Sequence, residues 1–496
     1  MGRNIPEEAD VRTYFAQWTG STVNWCDVAR ATIDMLPDVA LLKIFDSYVI
    51  ALGYKKQAWH TLVHVCQKWR YVAFGSPRRL NLRLECRVRT PVRDTLDVWP
   101  LLPIIISAQG YPTWDVGNIV AGLEHNDRIC KTSIIDVPHS GREKVLAALQ
   151  QPFPALTFLQ FVCQYHNETG PVIPASFLGG SAPGLRTLIL TRIPFPGLPK
   201  LLLTATHLVH LLLSEIPHFG YFSPEAMVTV LSALTRLERL AIEFESPQSR
   251  PDQNSRLLPP QTRTLLPVLT RLSFKGVAEY VEDIVAHVDA PLLDKLQIDF
   301  FFEVILDTPQ ITQFISRTPK FRAYDEAHVY FLEREVTVKL PRTSAGTLKL
   351  GISCSESDLQ LSSLAQVCSS SFPPALILTV EHLYIQSLYW EWPWEDDIED
   401  SQWIELFRPF IAVKDLYFSS DFTPQIVTAL QELGESGAEV LPALEMLFFE
   451  ELLPSGPVQE ALEQLVAARQ LAGHPIAISP WEREEEGYDT DYESYE

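Results

Sequence analysis

The sequence predicts an α/β protein in which an N-terminal helical hairpin precedes a long, divergent array of parallel strands and outer helices. Three observations carry this prediction: a helical apolar pattern near the start, a strand motif that recurs about every 30 residues after residue 150, and helical patterns between its copies. The chain has 496 residues, which is too long for one compact core, so two domains or one extended array are expected.

The composition indicates a folded protein with a large acidic excess. Hydrophobic residues make up 46% and charged residues 21%, which excludes wholesale disorder. The net charge of -22 repels phosphate backbones, so we expect no nucleic-acid partner. No stretch approaches the roughly 20 apolar residues that span a bilayer, and the start lacks the apolar run of a secretory signal. The sequence therefore predicts a soluble protein of the cytoplasm or nucleus, with no membrane partner.

The N-terminal part divides into a lead-in and a helical hairpin. Residues 1–30 are polar and irregular, and we interpret them as a loosely docked lead-in. The segment 31–79 carries two helical patterns, one after Leu36-Pro37 and one from about Trp59 to Phe74. A hairpin this small has little core of its own, so we expect it to pack on something else.

The segment 80–480 starts with an alternating strand pattern at 80–89 and then repeats the motif L-x-x-L-x-φ, where φ is a large apolar residue. The middle Leu and φ lie two residues apart, so both point to one side of a strand, toward a layer of helices. This core with a period near 30 is the signature of leucine-rich repeats. The pairs of middle Leu and φ are Leu159/Phe161, Leu188/Leu190, Leu211/Leu213, Leu240/Ile242, Leu272/Phe274, Leu296/Ile298, Leu383/Ile385, Leu416/Phe418 and Leu447/Phe449.

One interval in this series is much longer than the others. The step from Leu296 to Leu383 is 87 residues (383 − 296), which is about three periods. Two weaker copies, at 329–331 and 348–350, are expected to fill it in chain order. After the array, the segment 481–496 has eight acidic residues and one basic residue, so it is expected to be a disordered acidic tail.

The hairpin at 31–79 contains the pieces Leu36-Pro37, Ile44-Phe45, Trp59 and Val65-Cys66-Gln67-Lys68-Trp69-Arg70. In these pieces it resembles an F-box, and the last of them is close to that family's V-C-x-x-W-R. Its position before a leucine-rich array is similar to that in F-box/leucine-rich-repeat proteins. The sequence of the whole chain, including the segments WPLLPI, SGPVQEALEQ and HPIAIS, also resembles a large family of F-box proteins in mushroom-forming (basidiomycete) fungi.

This resemblance implies a substrate-receptor subunit of an SCF-type (cullin-RING) ubiquitin ligase. The F-box would dock a Skp1-like adaptor, and through it the cullin and RING subunits, while the array would hold an unidentified target protein. An alternative is a non-ligase interaction scaffold with a degenerate F-box, and a hairpin face that packs on the first repeat is also open. The candidate adaptor-binding residues are Leu36, Pro37, Ile44, Phe45, Trp59, Cys66 and Trp69.

The open face of the strand array is the candidate target-binding surface. Residues that alternate out of phase with the core Leu place Tyr384, Tyr417 and Phe448 in register, one on each of three late strands. Aromatic side chains flanked by charge are typical binding anchors. Trp392 and Trp394, in an acidic loop after the first of these strands, are predicted to rim the same site and favour a basic ligand. Alternatively, the tryptophans pack under their own loop and a terminal cap covers the stripe.

Enzymatic chemistry is not indicated by any motif. There is no P-loop, G-x-G-x-x-G or G-x-S-x-G, and Thr61 replaces the general base between His60 and His64 that a zincin helix would need. The seven cysteines form no C-x-x-C pair and are predicted to be buried thiols. We therefore expect no catalytic residue, cofactor or metal.

Overall fold

The structure, a computed structural model, describes much of the chain and divides it into two compact units. One unit is Met1–Arg83 with Leu101–Pro103, and the other is Leu84–Pro100 with Ile104–Glu496. The predicted lead-in at 1–30 and the tail beyond residue 482 lie outside the described residues. The described residues are 36–51, 58–75, 82–89, 91–98, 101, 103–109, 114–137, 139–163, 172–251, 262–303, 305–341, 346–354, 358–388, 400–436, 440–450 and 456–482.

The described part of the smaller unit contains three helices: α1 (Asp38–Ala51), α2 (Ala58–Val63) and α3 (Gln67–Gly75). The sequence predicted α2 and α3 as one helix, but the chain leaves the helix at His64 and Val65. Cys66 starts α3, because its Sγ accepts the backbone N–H of Trp69 at 3.4 Å. Arg70 Nε donates to the carbonyl oxygen of Val63 at 3.0 Å and satisfies the end of α2.

The larger unit is mixed α/β and is built on a 16-stranded, mostly parallel sheet. In spatial order the sheet runs β1-β2-β3-β4-β5-β6-β7-β9-β11-β14-β13-β12-β15-β16-β17-β18, and β8 and β10 form a separate parallel pair. The strands are β1 (Leu82–Glu85), β2 (Ile104–Ala108), β3 (Ile129–Ile135), β4 (Phe158–Val162), β5 (Thr187–Thr191), β6 (His210–Ile216), β7 (Arg239–Phe244), β8 (Thr264–Leu265), β9 (Arg271–Gly276), β10 (Val288–Asp289), β11 (Lys295–Phe301), β12 (Glu326–Leu332), β13 (Glu335–Leu340), β14 (Thr347–Ser353), β15 (His382–Ser387), β16 (Asp415–Phe418), β17 (Met446–Glu450) and β18 (Ala477–Trp481).

Helices connect most of these strands, as parallel pairing requires. Several begin with Pro in the first turn, where its missing N–H costs nothing. The helices of the larger unit are α4 (Val92–Val98), α5 (Val116–Leu123), α6 (His139–Ala148), α7 (Leu198–Leu202), α8 (Pro224–Ala233), α9 (Ala278–His287), α10 (Pro309–Arg317), α11 (Asp358–Ser370), α12 (Pro374–Ile377), α13 (Asp400–Phe407), α14 (Thr423–Ser436) and α15 (Pro457–Leu471).

The recurring motif aligns the strands. Leu188 pairs with Leu211, Leu211 with Leu240, and Leu240 with Leu272, so the motif residues form a row across the sheet. The middle Leu and φ of every motif copy are buried, while most residues that alternate with them are only half-buried. The motif therefore fills one face of the sheet and leaves the opposite face more open.

The centre of the sheet departs from the predicted chain order. Both weak copies form strands, β12 and β14, but β14 pairs with β11 and β12 pairs with β15. Between them lies β13, which is antiparallel to both neighbours. The turn at Glu333-Arg334 joins β12 to β13, because Leu332 pairs directly with Glu335 across a two-residue connection. The prediction of purely parallel strands is therefore wrong at this point.

The neighbouring carboxylates of Glu279 and Glu303 predict that the folding stability of the protein depends on pH. Arg250 lies 3.0 Å from Glu303 Oε1 and 3.7 Å from Glu279 Oε1. Burial, and then the nearby Glu279 carboxylate, raise the pKa of Glu303 to about 7, which Arg250 only partly offsets. Because the folded-state pKa is raised, ionising Glu303 costs stability as the pH rises through about 7.

The substitution Glu303→Gln removes this ionisation, so we expect the variant to gain stability over the parent at pH 8 relative to pH 5. The gain should be about 1–2 kcal/mol, below the full value of such a shift because solvent screens part of it. Urea unfolding of both proteins at the two pH values measures the difference. An equal effect of the substitution at both pH values would contradict a raised pKa.

Candidate functional site

The candidate adaptor-binding residues occupy different environments in the smaller unit. Phe45 and Trp69 are 4% and 8% exposed and pack on each other, with ring centroids 4.9 Å apart. Leu36 and Cys66 are half-buried, Pro37 is exposed, and Ile44 is 42% exposed. Trp59 lies in α2, and its side chain is outside the described residues. Of the seven, Phe45 and Trp69 therefore form the core between α1 and α3, and Ile44 and Pro37 face outward.

Other apolar side chains of this unit are exposed, and the sequence analysis did not select them. Periodicity marks the buried stripe of a helix, so an apolar residue outside the stripe gives no such signal. The exposed apolar residues are Val39, Val65, Tyr71, Phe74 and Leu101. Together with Ile44, they are the large apolar side chains that the described part of this unit exposes.

The predicted aromatic stripe of the larger unit forms a continuous stack. Tyr384 pairs with Tyr417 and Tyr417 with Phe448 on β15, β16 and β17. Their ring centroids are 4.2 Å apart in both pairs, and the ring planes differ by 13° and 5°. His328 of β12 extends the stack, with its ring 4.3 Å from that of Tyr384 and nearly parallel to it. We call His328, Tyr384, Tyr417 and Phe448 the aromatic ladder.

The ladder stands on the open face because its residues alternate with buried ones. Leu383 and Ile385 flank Tyr384 along the strand, and both are fully buried on the opposite face. The same alternation applies to Tyr417 and Phe448, and parallel in-register pairing then places one ring above the next at the strand spacing. The sequence reveals this for three rings. It missed His328, because His328 comes next to Tyr384 only through the reordered pairing of β12 with β15.

The last strand contributes a fifth aromatic ring. Trp481 of β18 lies across the ladder, 5.9 Å from Tyr384 and 5.6 Å from Tyr417, with its plane steeply inclined to both. The sequence analysis assigned Trp481 to the tail, whereas it ends a strand that pairs with β17. The alternative of a terminal cap is therefore met in part, because Trp481 covers the middle of the ladder. Trp392 and Trp394, the predicted rim, lie outside the described residues.

Charged groups border the ladder on the same strands. His382 Nδ1 lies 2.8 Å from Asp415 Oδ2, and Glu326 Oε2 lies 3.5 Å from His328 Nε2. Burial raises the pKa of Tyr384 well above its usual range, and the neighbouring Tyr417 adds to this, so the phenol stays neutral. The tyrosine and phenylalanine rings of the ladder thus form an uncharged, polarizable surface with carboxylates at its border, which suits a planar or cationic side chain.

The rings of the ladder are groups that bind other molecules by stacking. Within the described residues, no group of three or more His, Cys, Asp or Glu side chains could hold a metal ion. Burial raises the pKa of the Cys86 and Cys368 thiols to about 12, which keeps both unreactive. Among the helices that the structure describes, none has both the length and the apolar character needed to cross a bilayer.

Comparison of the chain with protein-family models and with curated proteins gave no match.

Proposed function

We propose that this protein is the substrate-receptor subunit of an SCF-type ubiquitin ligase. In this proposal the smaller unit is an F-box that docks a Skp1-like adaptor, and the larger unit is a divergent leucine-rich-repeat solenoid that holds a target protein. The observation that carries the proposal is the aromatic ladder, an in-register stack on the open face of the sheet. The receptor performs no bond chemistry and raises the local concentration of target lysines near the ligase.

The geometry of the V-C-x-x-W-R segment supports the adaptor-docking half. Cys66 starts α3, Trp69 packs on Phe45, and Lys68 Nζ donates to the carbonyl oxygen of Leu36 at 2.8 Å. The motif residues thus tie α3 to the start of α1 and fix the position of the outward-facing residues. Ile44 and the other exposed apolar side chains supply the surface that a partner would cover.

The substitution Ile44→Glu tests adaptor docking. A charge at this exposed apolar position should reduce co-purification with a recombinant Skp1-like protein at least tenfold, because the carboxylate would be desolvated at the interface. Leu203→Glu is the matched control, since Leu203 is 44% exposed against 42% for Ile44 and lies in the larger unit. Binding that survives Ile44→Glu, or no binding by the parent protein, would contradict the receptor role.

The second candidate function is an interaction scaffold that recruits no ligase. The burial of Phe45 and Trp69 favours it, because two of the seven candidate residues are engaged inside the unit and leave a smaller docking face. The two functions differ in one result. A scaffold would capture targets through the aromatic ladder but would not bind the Skp1-like protein, whereas a receptor would do both.

A further inference from the structure

A second feature of the open face lies away from the aromatic ladder, where three cations stand in register on adjacent strands. Arg239 of β7 pairs with Arg271 of β9, and Arg271 pairs with Lys295 of β11. All three alternate with buried leucines and are half-buried on the open face. Adjacent strands lie about 4.8 Å apart, so the three side chains start within about 10 Å. We call Arg239, Arg271 and Lys295 the cation row.

Like charges directly opposite each other on neighbouring strands destabilise a sheet. The same edge carries further cations, since Arg186 and Arg236 are exposed just before β5 and β7. Glu238 and Asp294 come directly before Arg239 and Lys295 in the chain, and Asp294 is engaged by Lys320 at 3.1 Å. This edge is therefore basic in a chain whose net charge is -22.

The positive charges of the cation row affect the pKa of a neighbouring side chain, His210. His210 of β6 pairs with Arg239, which places its ring beside the row. Burial lowers the pKa of His210, and the guanidiniums of Arg239 and Arg271 lower it further against the opposing Glu238. The surroundings of His210 thus disfavour an additional positive charge, as expected of a surface suited to an anion.

The residues next to the cation row on the open face are uncharged. The next residues on the open face of the same three strands are Ala241, Ser273 and Gln297. Farther along the face, the carboxylates of Asp299 and Glu335 lie 3.9 Å and 3.3 Å from Lys349 Nζ. An anionic chain lying across the row therefore meets an uncharged surface at Ala241, Ser273 and Gln297, and the next open-face residues of the three strands are Glu243, Lys275 and Asp299.

We propose that the cation row binds an acidic segment of a protein partner, with Asp and Glu side chains lying across β7, β9 and β11. A short acidic run fits this local patch, whereas the net charge of the chain opposes a long polyanion such as a nucleic acid. The inference concerns a second site on the open face and does not depend on adaptor docking.

The test measures fluorescence anisotropy of the full chain with a labelled peptide of alternating Glu and Ala, at low salt. The matched probe has Gln in place of every Glu. We expect the Glu peptide to bind and the Gln peptide not to bind, and the double variant Arg239→Gln/Arg271→Gln to raise Kd for the Glu peptide about tenfold. Arg322→Gln, at an exposed arginine outside the row, should leave Kd unchanged.

Two further measurements separate binding from folding and from other occupants. Arg271→Lys keeps the charge, so it should bind the Glu peptide within a few-fold of the parent protein. Equal binding of the Glu and Gln peptides, or unchanged binding in the double variant, would overturn the proposal. It would also be overturned by tighter binding of a short oligonucleotide, or by a tenfold gain in peptide binding on deletion of residues 483–496, because the occupant would then be a nucleic acid or the tail of this chain.

Discussion

Replacing Tyr417 with Ala is expected to lower the free energy of unfolding by about 2–3 kcal/mol and to abolish target capture. Tyr417 is one of the two inner rings of the aromatic ladder, with Tyr384 on one face, Phe448 on the other and Trp481 against its edge. Its removal breaks three ring contacts at once and leaves the neighbouring rings without support. Urea unfolding measures the first effect, and cross-linking capture of targets measures the second.

Two matched variants show whether the stack itself is responsible. Tyr417→Phe keeps the ring and removes only the hydroxyl group, so we expect stability and capture close to those of the parent protein. Phe448→Ala removes a ring with one stacked partner on the ladder, so its loss of stability should be smaller than that of Tyr417→Ala. Equal losses in the two Ala variants would mean that the rings contribute as separate side chains.

The ladder also shows which parts of the candidate site can be predicted from the sequence. Tyr384, Tyr417 and Phe448 could be placed together because each lies between the middle Leu and φ of a motif copy, and the period-2 alternation of a strand puts that position on the face opposite the core. His328 and Trp481 could not be placed in this way. The position of His328 depends on the order of the strands in the sheet. Trp481 ends the segment Ile476–Trp481, which lacks the leucines of the motif and so is not recognised as a strand of the array. Long-range pairing decides both.

In the centre of the sheet and in the smaller unit, the structure also depends on contacts that the hydrophobic pattern does not reveal. Val336, Val338 and Leu340 alternate as a strand should, but the sequence does not say that this strand turns back antiparallel between β12 and β14. In the smaller unit, the sequence predicts one helix with an apolar stripe on both sides of His64 and Val65, but the helix breaks at these two residues. The break follows from a local hydrogen bond, since the Cys66 side chain accepts from the Trp69 N–H, and hydrophobic periodicity carries no record of it.

The second large effect is expected for Trp69→Ala, which should unfold the smaller unit. Trp69 is 8% exposed and packs on Phe45, and truncating a buried tryptophan costs about 3–5 kcal/mol. A unit of this size has little more stability than that, so we expect the amide hydrogens of α1 and α3 to exchange rapidly in the variant. Hydrogen–deuterium exchange of the peptides covering 38–51 and 67–75 measures this.

Trp69→Phe is the matched control. It keeps a ring against Phe45 and removes an indole Nε1 that has no hydrogen-bond partner among the described residues, so exchange should stay slow. Co-purification with the Skp1-like protein should then be lost in Trp69→Ala together with protection, but lost in Ile44→Glu with protection intact. If Trp69→Ala kept slow exchange and still lost the adaptor, Trp69 would contact the partner directly, and its packing against Phe45 would not explain its effect.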